Sequence, residues 1–264
     1  MPSFRRTPTV AATVMFVIGS GAITPAVAQN SKSSNPYTAG RTPDGAPDLR
    51  GIWEVHGTIN WNIEGHPKQD GIAASKSVIV DPADGKIPYT AEARAKKNAI
   101  SLADDPQTKC YMAGVPRVTY TPGPFQIFQT DGLVIAVYQD LHTYRYIPTT
   151  GKPQMSGAEF WMGSSRGRWE GDTLVVDSVS FNDQTWFDKA ANFHSADLHV
   201  VERYQLTGPN TLQYEALIED PKVFTRPWKM RMIAERHTEP GFRILEDECL
   251  QDAKGVLHHV LPGK

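Results

Sequence analysis

The densest group of proton-transfer side chains lies between Asp183 and Arg203, where Asp183, Asp188, His194, His199, Glu202 and Arg203 follow one another with Trp186 and Phe187 among them. Imidazole beside carboxylate is the usual equipment for moving protons near neutral pH, because environment tunes histidine across that range. This stretch points to cofactor-independent acid–base chemistry of the lyase, hydratase or isomerase type on a small, partly apolar or aromatic molecule. His194 and His199 would transfer the proton, Asp183 or Glu202 would orient the imidazole, and Trp186 and Arg203 would touch the substrate. The same residues admit a plainer account, in which Glu202 and Arg203 belong to structural salt bridges.

Four further groups bear on the chemistry. His142 and Tyr144, with Asp140 and Tyr146, read as one polar face that would wall a ligand pocket, although tyrosine also favours strands for packing reasons alone. His142, His194, His199 and Asp183 hold the atom types of a zinc or other transition-metal site. No HxH, HExxH or EF-hand spacing supports that, so a metal-dependent enzyme stands behind the metal-free reading. Gly163-Ser164-Ser165-Arg166-Gly167 fits the G-x-S-x-G pattern of a hydrolase elbow, which needs a helix after the serine. Here a Gly-Asp turn and a β-like run follow instead, so the plainer account is a glycine-rich loop before a strand. Trp53, Trp161, Trp169, Trp186 and Trp228 could line an aromatic or carbohydrate site or simply pack a core.

These residues must be held by strands. From Phe125 onward the apolar period is two, predicting strands at Phe125–Thr130, Leu133–Ile147, Thr173–Phe181, Leu198–Leu206, Thr211–Glu219, Lys229–Glu235 and Arg243–Cys249. Asp131-Gly132, Gly171-Asp172 and Gly208-Pro209-Asn210 separate several of them as short turns, which favours an antiparallel meander over parallel crossovers. One helix is predicted, Ala91–Leu102, with Thr90 as its N-cap and Glu92 in its first turn. The fold expected is mainly β: a single antiparallel lipocalin-like barrel or curved sandwich with one short helix. In strand Leu198–Leu206 the Val200/Glu202/Tyr204 face opposes the His199/Arg203 face. If the former lies on the core, Glu202 is buried and needs a cation or donor; if the lumen is polar, His199 and Arg203 enter it.

Residues 1–28 read as a secretory signal: Arg5 and Arg6, the run Val10–Ile18, then Ala26-Val27-Ala28 as the cleavage site. The run is too short to span a bilayer. Residues 29–48 read as a flexible tether and 49–264 as one β-rich domain, placed in the periplasm or outside the cell. Cys110 and Cys249, the only cysteines, suit a disulfide in an exported protein. A formal charge of −2 argues against nucleic acid as a partner, and no phosphate-binding glycine loop appears. The partner expected is a small molecule.

The segment Gly167–Asp177 (GRWEGDTLVVD) resembles a widespread family of exported bacterial proteins. The likeness extends through Arg41–Trp53, Cys110 with Pro116-Arg117, Phe181–Asp188, His194–Tyr204 and Ile218–Trp228. The chain departs from the family pattern at Tyr111-Met112-Ala113 and at Thr150-Gly151-Lys152-Pro153. The resemblance implies export and carries no activity. Catalysis by proton transfer is therefore weighed against a lipocalin-like binding protein with the same pocket and no chemistry. An enzyme needs histidine and carboxylate within hydrogen-bond reach, whereas a binder needs only a shaped apolar space.

Overall fold

The computed structural model describes residues 37–151, 153–155, 157–251 and 257–260, with backbone only for 251 and 257–260. The signal segment and residues 29–36 lie outside the described residues. The part of the expected tether that is described, 37–48, packs against the domain. Ala39, Thr42 and Pro47 are buried, Thr42-Pro43-Asp44-Gly45 forms the expected turn, and the Gln129 side chain holds the backbone at Pro47 and Leu49.

Among the described residues are twelve strands and one α-helix: β1 (Gly51–Glu54), β2 (Ile79–Asp81), α1 (Ala91–Ala99), β3 (Phe125–Thr130), β4 (Leu133–Tyr138), β5 (Tyr144–Pro148), β6 (Ser164–Glu170), β7 (Thr173–Val179), β8 (His199–Gly208), β9 (Thr211–Glu219), β10 (Trp228–Arg236), β11 (Glu248–Gln251) and β12 (Leu257–Val260). Nine form a nearly closed antiparallel barrel in the order β5-β4-β3-β1-β10-β9-β8-β7-β6, with β2 added beside β10 and β11–β12 as a separate hairpin. The mainly β architecture with a single α-helix is thus the one expected. Thr90 caps α1 by accepting from the Ala93 N–H at 3.1 Å. The helix ends at Ala99, three residues early, because Ile100 turns extended.

Alternation is cleanest where expected. Val200, Glu202, Tyr204 and Leu206 of β8 and Leu212, Tyr214, Ala216 and Ile218 of β9 are buried, while their sequence neighbours lie on the outer face. Trp53, Phe125, Tyr138 and Trp228 add large rings to the same core. The barrel interior is filled by side chains.

Three strand expectations need correction. Leu133–Ile147 is two strands, because Leu141 and His142 take positive φ and the backbone reverses at 139–143. His142 therefore sits in a turn and shares no strand face with Tyr144 and Tyr146. The glycine-rich run at 163–167 is the start of a strand, β6, and the C-terminal strand begins at Glu248 rather than Arg243.

Cys110 and Cys249 form the expected disulfide, with Cα atoms 6.1 Å apart and a separation of 139 positions in sequence. It ties the C-terminal segment to the turn at Pro106–Lys109. Closing a loop of that length restricts the unfolded chain by about 4–5 kcal/mol in the chain-entropy model. Replacing Cys249 with Ser is expected to lower unfolding free energy by up to about that amount, read from urea denaturation with the oxidised protein as reference.

Candidate functional site

Glu202 is fully buried on the inner face of β8, so an unpaired carboxylate there would be costly. Its partner is Arg145 of β5, also buried, whose Nη1 donates to Oε1 at 2.8 Å and whose Nη2 donates to Oε2. The Tyr204 and Tyr214 hydroxyls each donate to Oε1 at 2.9 Å. Arg145 Nη2 also reaches Ser165 Oγ of β6 at 3.1 Å and Ser178 Oγ of β7 at 3.2 Å, and the two serines bond at 2.9 Å. Burial opposes the charge on Arg145, and the Glu202 carboxylate overrides it, holding the guanidinium well above its usual range. Burial, with Glu202 beside them, likewise raises both tyrosines, which stay protonated as donors.

β5 and β6 are the two ends of the sheet order, so the barrel closes between them by side chains. At one level the strands approach closely. A Cβ on Gly167 would lie 3.0 Å from the Ile147 and 2.9 Å from the Thr149 methyls, so any larger residue would have to displace those side chains. Near Ser164 and Ser165 a cavity of about 470 Å³ opens, lined by Tyr144, Tyr146, Pro148, Phe160, Met155 and Met162. Arg145 and Ser165 bring polar groups into this apolar space. Gly163 enters β6 at φ +65°, where a Cβ would strike the Phe181 ring. Gly163 is thus explained by its left-handed backbone and Gly167 by the crowding of neighbouring side chains, and Ser165 has serine and arginine as partners rather than an imidazole.

The residues expected to transfer protons occupy separate settings. His194 is buried, with Nδ1 on the Ser195 carbonyl at 2.8 Å and Nε2 2.6 Å from Thr185 Oγ1. Donation from Nδ1 leaves Nε2 to accept from the threonine, which fits a neutral ring. His199 lies on the outer face between Glu219 (2.7 Å) and Asp177 (3.2 Å). Asp183 is exposed, and Glu202 points into the barrel, opposite to His199. Of the expected substrate contacts, Tyr144 lines the seam cavity. Trp186 is buried, Arg203 pairs with Glu170 on the outer surface, and His142 stands near Glu248. Among the described residues no group of three His, Cys, Asp or Glu is placed to hold a metal ion.

Asp188, in the same polar stretch, has a structural role. Fully buried, it accepts from the Ile63 and Ala190 N–H groups and from the Asn192 backbone and side chain. Burial raises its carboxyl above the usual value despite those donors.

Two measurements check these assignments. Glu202→Gln is expected to cost about 3–5 kcal/mol by stranding the Arg145 charge. An Arg145→Met, Glu202→Leu double variant should lose less than the sum of the singles. Burial lowers the His194 pKa, so below about pH 6.5 the unfolded chain binds a proton that the folded chain refuses. Stability should therefore fall as pH drops through that region, with His194→Gln flattening this part of the curve in pH-dependent urea titrations.

No protein-family model, curated protein or solved structure matches the chain. Among the described residues no helix is long and apolar enough to cross a membrane.

Proposed function

We propose that this chain is an exported binding protein for a small, partly apolar or aromatic molecule, held at the β5–β6 seam. The observation that carries the reading is the cavity of about 470 Å³, walled by aromatic, methionine and proline side chains with Arg145 and Ser165 at its polar part. Small-molecule sites are generally apolar spaces of roughly this size with a few placed polar groups. Because Glu202 already neutralises Arg145, the site favours a neutral ligand offering a hydrogen-bond acceptor over a free anion. The acid–base enzyme reading has less support: His194, His199, Asp183 and Glu202 do not converge, and the pairing of His199 with Glu219 and Asp177 lies on the outer face, among residues that do not line the cavity. The signal-like start and the Cys110–Cys249 disulfide support export.

Nile red, a neutral apolar dye, serves as the probe. Met162→Trp, which fills the cavity, should weaken dye binding tenfold or more, and Arg203→Met on the outer face should leave it unchanged. In a metabolite screen scored separately for retention and turnover, the expected result is retention. Turnover abolished by His194→Gln or His199→Gln would overturn the reading.

A further inference from the structure

A second cavity, of about 300 Å³, is built by loops instead of strand edges, and its chemistry is opposite in kind. Asn60 comes from the turn at Ile59–Trp61, Gln107 from that at Pro106–Lys109, and Asp140 from that at Asp140–His142. Lys189 comes from the segment ordered by Asp188, and Asp247 from the C-terminal segment that the disulfide clips in place. Arg117 is buried beside Asn60, donating twice to Asp105 at 2.7 Å and once to Asn60 Oδ1 at 2.8 Å.

The charges lining this space are one cation and two carboxylates. Lys189 is anchored by its backbone N–H on the Asn60 carbonyl, and its ammonium lies 4.6 Å from the centre of the Trp61 ring. Among the described residues no carboxylate forms an ion pair with it. Burial, and then the Arg117 charge, press its pKa below the ordinary lysine range, so an anion beside it would relieve an unfavourable charge. Asp140 and Asp247 are both more than nine-tenths buried, accepting from Gln107 Nε2 at 2.8 Å and from the Leu141 N–H at 3.3 Å respectively. A lone anion would meet these carboxylates, and a lone cation would meet Lys189.

We infer that this cavity is a second ligand site, for a small zwitterion whose carboxylate meets Lys189 and whose ammonium meets Asp140 and Asp247. It is independent of the seam cavity and of the reading given to that cavity. Both ligand charges are needed for full complementarity, so selectivity is the signature.

Calorimetric titration of the oxidised protein with glycine, β-alanine and 4-aminobutanoate, and with acetate and methylammonium as single-charge controls, tests this. At least one zwitterion should bind tenfold or more tightly than either control. Lys189→Met and Asp247→Asn should each weaken it at least tenfold, and Lys222→Met, at an exposed pair with Asp197, should not. Lys189 and Asp247 lie on separate segments, so loss in a variant that keeps its circular-dichroism spectrum reports on the site. Binding by none of the three zwitterions, equal binding of acetate or methylammonium, or wild-type affinity in folded Lys189→Met would overturn the inference.

Discussion

The barrel is organised around one buried ion pair. Arg145 and Glu202 bring opposite charges into an interior filled largely with aromatic and aliphatic side chains, so each is tolerable only while the other is in place. The pair and its partners connect five strands: Arg145 on β5, Ser165 on β6, Ser178 on β7, Glu202 and Tyr204 on β8, and Tyr214 on β9. A one-residue slip of β8 would turn Glu202 outward and bring His199 and Arg203 inward. The pair therefore specifies register as well as contributing contacts. It also bridges the one place where consecutive barrel strands lack a ladder, and the seam cavity exists because that bridging is done by side chains.

Much of the barrel could be read from alternation. β8 and β9 have near-ideal period-two patterns, and the choice posed for Glu202, a buried carboxylate in need of a cation or an outward one, is decided by the packing of that face. The cation is not readable, because Arg145 lies 57 residues away and sits between two tyrosines that occupy the opposite face of its strand. Local pattern carries the burial of a residue but not the identity of a partner across a barrel. The turn at 139–143 was hidden for a related reason: positive φ at Leu141 and His142 is unusual for those residue types, and neither glycine nor proline marks it. β6 was obscured in the opposite way, since Gly163 and Gly167 read as loop residues although the close approach of Phe181 and of Ile147 favours them.

The polar stretch from Asp183 to Arg203 shows why local density of titratable groups is weak evidence for a catalytic centre. The segment before β8 is irregular, and irregular buried backbone needs partners that a ladder would otherwise supply. Asp188 satisfies three backbone N–H groups, His194 takes the Ser195 carbonyl, and Asp220 takes the Ser195 N–H and hydroxyl. Once the chain enters β8, side chains separate by parity, so His199 and Glu202 cannot share a face. That separation was readable from the numbering alone. The structural use of Asp188 was not, because its partners come from Ile63 as well as from its own loop.

The two cavities differ in chemistry because they differ in construction. Along the seam, backbone groups lie in strands and the space is shaped by side chains that alternate, so Tyr144 and Tyr146 flank Arg145 and an apolar wall surrounds a few polar atoms. The loop cavity is assembled from short turns whose buried N–H groups must be met by carboxylates and amides, so its lining is polar before any ligand is considered. Lys189 is the exception in that lining. Asp247 and Gln139 meet backbone N–H groups and Gln107, Asp140 and Asn60 bond to other side chains, whereas the Lys189 ammonium rests on an indole face and is disfavoured by burial and by Arg117. A lysine with a purely surface role would extend into water, where its charge costs nothing. Its position beside a polar space, with two buried carboxylates among the other lining groups, is what separates this cavity from a gap left by imperfect packing.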